Sequence, residues 1–264
     1  MIYNDHFQNF KVYQTPKAQL IIADVPYNIG INAYGSNPSW YIDGDNKNGE
    51  SELAGKEFFD TDKNFKPAEY MHFCSKMLMP EPKLKGKAPC MILFCSFEQQ
   101  FYFIELAKKY GLPKYINLVF RKNFSAQVLK ANMRIVGNCE YGVLFYRDKL
   151  PKFNNNGKMI FNCIDWEKDS AVKIHPTQKP LGLLKRLIEI FTDEGDTVID
   201  PVAGSGSTIV AALELKRKAF GFEIKKDFYK AASKWITEVK INEADKKEHG
   251  YNKTEIAKIN PVLF

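Results

Sequence analysis

The sequence predicts an α/β fold, a mostly parallel, twisted sheet covered by helices on both faces. Three observations predict it. Short apolar runs bounded by turn residues alternate with segments of helical spacing, the pattern of parallel strands joined by crossover helices. The segment "DTVIDPVAGSGSTIVAALELKRKAFGFEI" (196–224) reads as strand, glycine turn, helix, strand. The 264 residues, 45% of them hydrophobic, suffice for the core of one large domain.

Taken in order, the first strand is "LIIADVPYNIG" (20–30), whose apolar run stops at Asp24, Val25, Pro26 and Tyr27. Residues 30–66 follow, rich in Gly, Asn, Asp and Ser with Tyr34, Trp40 and Tyr41 embedded, and are expected to form a mobile loop. "PAEYMHFCSKMLM" (67–79) has a proline start and helical spacing. "PCMILFCS" (89–96) reads as a buried strand, and "EQQFYFIELAKKYG" (98–111) as a helix stopped by Gly111. "YINLVFRK" (115–122) and "CEYGVLFYR" (139–147) read as two more strands. A polar stretch precedes "HPTQKPLGLLKRLIEIFT" (175–192), where Leu181, Leu184, Leu187, Ile188 and Phe191 recur at helical spacing. After the glycine unit, residues 225–249 read as a helix. The single domain is drawn at 1–240, with 241–264 as a C-terminal tail.

Net charge is +7, a basic excess that suits an anionic partner such as nucleic acid. Cys74, Cys90, Cys95, Cys139 and Cys163 are odd in number, without a C-x-x-C pair, and the four histidines are scattered. That points to buried free thiols in a reducing cytoplasm and to no metal site. "MIYNDHFQNF" resembles neither a signal nor a transit peptide, and no apolar run reaches membrane-spanning length. The expectation is a cytoplasmic protein.

Gly204 and Gly206 sit between strand and helix, where glycine permits a tight turn and close approach of the backbone to a ligand. The G-K-[ST] of a triphosphate loop is absent. The third glycine of a dinucleotide fingerprint is also missing, because Ile209 stands there. Glu223 lies about twenty residues past the glycines, at the end of the next strand, where a carboxylate accepts both hydroxyls of a ribose. Asp200, just before the turn, adds negative charge that suits a cation. The set fits an adenosine ligand carrying an amino acid better than a pyrophosphate.

"DVPY", "HPTQKP", "DPVAGSG" and "GFE", in that order, resemble the amino-methyltransferases of DNA, specifically the permuted β group, whose catalytic block precedes its cofactor block. The resemblance runs from about residue 18 to residue 235. It implies a Rossmann-like methyltransferase fold, S-adenosyl-L-methionine as cofactor, double-stranded DNA as partner, and methyl transfer to an exocyclic base amine. Residues carried over as cofactor-binding are His175, Thr177, Gln178, Lys179 and Pro180, which close over the ligand, Asp200 with Ala203, Gly204, Ser205 and Gly206 at its methionine end, and Glu223 at its ribose. Relatives often dimerise, so a homodimer is also implied. Two positions depart from the family pattern: Val202 replaces its phenylalanine, and Val25 its first proline.

The catalytic block has a chemical logic. An aromatic amine is a poor nucleophile because its lone pair is delocalised into the ring. Two acceptors on its two N–H groups aim that lone pair at the methyl. Asp24 supplies one, and the resemblance assigns the other to the main-chain carbonyl of Val25. Pro26 stiffens the turn, and Tyr27 offers a flat face to a base taken out of the stack. Asp in the first position implies adenine N6 as the acceptor, the cytosine-N4 enzymes of the family often carrying Ser there. Three alternatives stand beside this reading: a cytosine-N4 enzyme, a cytosine-C5 enzyme using Pro89-Cys90, and a non-catalytic DNA-binding subunit of the same fold. RNA as substrate shares the same pocket logic. Residues 147–174 are the expected site of a short target-recognition insert, with Lys149, Lys152 and Lys158 available to track phosphates or simply to solvate a loop.

Overall fold

Two strands, buried in all but the terminal Asp24, anchor the molecule: β2 (Leu20–Asp24) and β3 (Cys90–Cys95), paired in parallel with Asp24 opposite Phe94. The computed structural model describes residues 1–26, 65–123, 137–166 and 178–249, the last eight of these by backbone alone. The loop expected at 30–66 and the histidine end of "HPTQKP" therefore lie largely outside the described residues. The remaining strands are β1 (Ile2–Tyr3), β4 (Lys114–Lys122), β5 (Cys139–Tyr146), β6 (Cys163–Trp166), β7 (Thr197–Asp200) and β8 (Lys218–Phe222). They form one eight-stranded sheet in the order β1-β8-β7-β2-β3-β5-β4-β6, in which β5 runs antiparallel to both its neighbours and the other pairings are parallel.

Alternation along each strand divides the core into two layers. Leu20, Ile22, Cys90, Ile92 and Phe94 face α3 (Leu181–Phe191), α4 (Ser207–Glu214) and α5 (Lys226–His249). Ile21, Ala23, Met91, Leu93 and Cys95 face α1 (Pro67–Met77) and α2 (Phe97–Lys109). The expected doubly covered sheet is thus what the chain forms, because a parallel sheet must bury both faces. Local signals explain the helix starts. Pro67 opens α1, and Ser96 and Gln99 form a reciprocal capping box at the start of α2.

Several elements differ from the sequence reading. β1 and a 3-10 helix at Phe7–Tyr13 were not expected, since two residues on an edge strand give no periodic signal. Helix α5 runs to His249, as the reading of 225–249 expects, so the domain boundary drawn at residue 240 falls within it. Within 147–174, β6 is part of the sheet, pairing with β4 so that Trp166 stands opposite Lys122. Lys152 is not a phosphate contact. Its side chain is buried, and its ammonium lies 2.7 Å from Asp193 and 2.6 Å from Asp196. Lys149 is also engaged, donating to the carbonyl of Pro82 at 2.8 Å. Lys158 remains exposed, and of the thiols expected to be buried Cys139 is only half-buried and Cys163 exposed, because they start β5 and β6.

Lys152 therefore anchors the polar segment to the turn before β7. Lys152→Ala should destabilise the fold by about 2–3 kcal/mol, because two carboxylates lose their cation. The salt dependence of DNA binding should stay unchanged, as checked by chemical denaturation beside a binding series in rising salt.

Candidate active site

The chain leaves β2 through α1 toward β3 on one side, and leaves β7 through α4 toward β8 on the other. The order of strands therefore reverses between the neighbours β7 and β2, and a crevice opens there at the carboxyl ends of the strands. Both strands end in aspartate, Asp200 and Asp24. The two carboxylates sense each other, since the charge of Asp24 adds to the forces that raise the Asp200 pKa. Catalytic and cofactor blocks 176 residues apart in sequence (200 minus 24) thus meet at one edge.

The glycine turn is built for close approach. Gly204 and Gly206 both adopt left-handed backbone, with φ of 50° and 78°. Gly221 of β8 leaves room for the turn: a Cβ there would come within 3.0 Å of both Ala203 and Ile209. Ile209, where a dinucleotide fingerprint would have glycine, is fully buried in the core instead. Ser205 is buried within the same turn. Glu223 folds back onto the turn, one carboxylate oxygen accepting from the Gly204 N–H at 2.8 Å and the other from the Lys225 N–H at 2.7 Å. Asp200 accepts from the Val202 N–H at 3.1 Å, and Val202 packs at the edge of the α1/α2 layer.

Burial raises the pKa of both acids. Asp200 is pushed up to about 7, against the opposing hydrogen bonds from Thr208 and Val202. Glu223 is raised by burial against the backbone N–H groups of Lys225 and Gly204. Two buried carboxylates beside a turn that a Cβ would obstruct form a site for a cation of nucleoside character, which S-adenosylmethionine is. Asp200 and Ala203 to Gly206 would hold its methionine end, and Glu223 its ribose.

The turn after Asp24 is held without the family's first proline. The Val25 N–H donates to the Phe94 carbonyl at 3.2 Å, a bond that proline could not make, and the Val25 side chain is buried. Gln99 of the α2 capping box donates to the Pro26 carbonyl at 2.9 Å. One added ladder bond and one side-chain bond thus restrain the turn where a second ring would have done so. Tyr27, His175 and Thr177 lie outside the described residues.

The sequence reading assigns Lys179 to the cofactor, and the structure places its ammonium among carboxylates. It sits 2.6 Å from Asp24 and 3.0 Å from the Oε2 of Glu140. The other oxygen of Glu140 lies 2.8 Å from the Lys122 ammonium. The Lys179 ammonium thus meets the carboxylate at the end of β2. Gln178 precedes it, and Pro180 follows as the N-cap of α3. Glu140, Lys122 and Gln99 escaped the sequence reading. For Glu140 a signal existed, since it is the single charge in β5, whereas Lys122 follows Arg121 at the end of β4.

Cys90, the alternative C5 nucleophile, is fully buried, and burial pushes its thiol well above the usual range. A thiol that stays protonated inside a strand cannot attack a base. Among the described residues no cluster of three or more metal-ligating side chains forms, and no helix is long and apolar enough to cross a membrane.

A Rossmann-like sheet with a glycine turn after β7, a buried acid after β8 and a carboxylate at the end of the neighbouring β2 is the arrangement that the resemblance to S-adenosylmethionine-dependent methyltransferases implies. The chain belongs to the DNA methylase family, whose pattern it matches over residues 18–234. It is 31% identical to the methylase YubD of Escherichia coli K12 over 68% of this chain and 71% of that protein. To the DNA adenine methyltransferase YhdJ of the same organism it is 25% identical, over 98% of this chain and 86% of the relative. The crystal structure of the M1.HpyAVI–SAM complex shares the fold, with a TM-score of 0.64 at 22% identity over 89% of this chain and 98% of that one. The family, the fold class and the cofactor expected from the sequence are those found.

Asp200 gives the site a pH dependence. A cation favours the ionised carboxylate, so affinity for S-adenosylmethionine should fall as pH drops below about 7, by up to about tenfold per pH unit. Calorimetry across pH 5.5–8.5 checks this, and Asp200→Asn should flatten the curve. Without ligand the sign is opposite for stability. The unfolded carboxyl ionises near pH 4 while the buried one stays protonated to about 7, so its contribution to stability is lost as pH rises through that window. Thermal melts of the same variant should show this loss removed.

Proposed function

We propose that this DNA methyltransferase acts on the N6 amine of adenine in double-stranded DNA, on a base taken out of the stack, in the cytoplasm and as a homodimer. The observation that carries the reading is the Asp24 carboxylate at the same sheet edge as the cofactor turn. S-Adenosylmethionine supplies, when bound, a methyl group on a cationic sulfur already activated to leave. The chain supplies position. Glu223 and the 203–206 turn seat the ligand, and Asp24 accepts one N–H of the target amine. The peptide carbonyl of Val25 accepts the other. Positioning and preorganised charge are enough for such a transfer, which needs no covalent enzyme intermediate. The adenine assignment is supported by Asp rather than Ser at position 24 and by the name of the relative that spans nearly the whole chain.

The two blocks divide the labour. Asp24→Ala should abolish transfer and leave cofactor affinity within about threefold. Glu223→Ala should weaken cofactor binding by about 1.5–3 kcal/mol, the worth of hydrogen bonds to a charged group. Calorimetry on both variants checks this, and equal loss of cofactor in both would reverse the roles. Digestion of methylated DNA to nucleosides, followed by mass spectrometry, tests the acceptor. N6-methyladenine is expected, whereas N4-methylcytosine alone would overturn the assignment.

A further inference from the structure

Four charged side chains run in a line across the sheet: Lys122 on β4, Glu140 on β5, Lys179 before α3 and Asp24 at the end of β2. They alternate in sign, and three successive contacts of 2.8, 3.0 and 2.6 Å link them. Strand parity explains why they meet. Asp24 continues the Leu20 and Ile22 face, Glu140 stands opposite Phe120, and Lys122 opposite Trp166, all on the α3/α4/α5 side. Aromatic rings enclose the line. The Lys179 ammonium lies 5.2 Å from the Phe94 ring and 5.5 Å from Trp166, which also faces Lys122 at 5.4 Å. Gly142, two residues along β5 from Glu140, provides room for this packing, since a Cβ there would meet the Phe120 ring at 3.0 Å.

We propose that Glu140, held by Lys122, is a positioning residue for methyl transfer, fixing the Lys179 ammonium so that it grips and orients the carboxylate of Asp24. The proposal rests on the reading of Asp24 as the acceptor of the target amine. Its physical basis is desolvation. The Lys179 side chain is only 7% exposed, and a buried ammonium is costly unless carboxylates and hydrogen bonds compensate it. Asp24 alone is 27% exposed at the mouth of the crevice. Glu140 supplies a second anion from the more enclosed side. Its own burial is offset by two cations, so it stays ionised below the usual range. Burial acts against the charge on Lys179, but Asp24 and Glu140 outweigh it and hold the ammonium protonated above its ordinary range. Cys95 on β3 and Asp200 on β7 also sense Asp24.

Removing the Glu140 charge should therefore do two separable things. It should loosen Asp24, and it should let Lys179 lose its proton at lower pH. The assay is single-turnover transfer from labelled S-adenosylmethionine to genomic DNA of a host without DNA methylation. Glu140→Gln is expected to slow transfer by about 10- to 100-fold, as for a misplacement of about 1 Å, with cofactor and DNA affinity within about twofold. The alkaline limb of its pH–rate profile should move down by at least about one pH unit. The Glu140→Gln/Lys179→Met double variant should be no slower than Lys179→Met alone. A native rate, an unmoved limb or multiplicative losses would each overturn the proposal. Should Glu140→Gln not fold, Glu140→Asp carries the test, because it keeps the charge and shortens the reach by one methylene. Slowed transfer with the native alkaline limb supports the proposal, and an unchanged rate overturns it. Asp24→Asn separates the two levels. Native transfer by that variant defeats the acceptor reading itself, whereas an inactive Asp24→Asn beside a native-like Glu140→Gln defeats this inference alone.

Discussion

The parallel pairing of β2 with β7 is the contact on which the site depends. It brings Asp24 and Asp200 to one edge, and no local interaction could do so across the intervening chain. Parallel strands cannot be joined by a hairpin, so each must be followed by a crossover. The crossovers from β2 and β7 leave in opposite directions, and the crevice is what remains between them. The permuted order of the two blocks is therefore immaterial to the geometry. Either block can come first provided the two strands lie side by side.

Charge in this crevice is arranged in two ways. On the β7 side, Asp200 and Glu223 are buried against backbone N–H groups, and no ion-pair partner is seen for either among the described residues, so burial raises both. On the β2 side the charges already alternate from Lys122 to Asp24. One half holds two raised acids, and the other a run of paired charges. The division suits a reaction in which one partner must be bound tightly and the other only aimed.

Much of this was legible in the sequence, for physical reasons that can be named. The apolar runs of β2, β3 and β5 and the spacing of Leu181, Leu184, Leu187, Ile188 and Phe191 in α3 carry their periods openly. The glycine turn was equally visible, because left-handed backbone and close packing leave few residues to choose from. Strand β1 was not, since its two residues are defined only by the neighbour they pair with. The anchoring of Lys152 on Asp193 and Asp196 is a tertiary fact with no local trace. The contact of Lys179 with Asp24 spans 155 residues, and only the oddity of Glu140 as the single charge of β5 hinted at what surrounds it.

The hydrogen bond from the Val25 N–H to Phe94 bears on how such turns vary. A proline restrains its backbone through a ring, whereas here the restraint comes from the neighbouring strand. What the reading of this turn asks of position 25 is a carbonyl, which every amino acid provides. The identity of the residue is then free to drift wherever the sheet extends by one bond. Patterns that insist on consecutive prolines would pass over chains of this kind, although the peptide geometry they encode is met by another route.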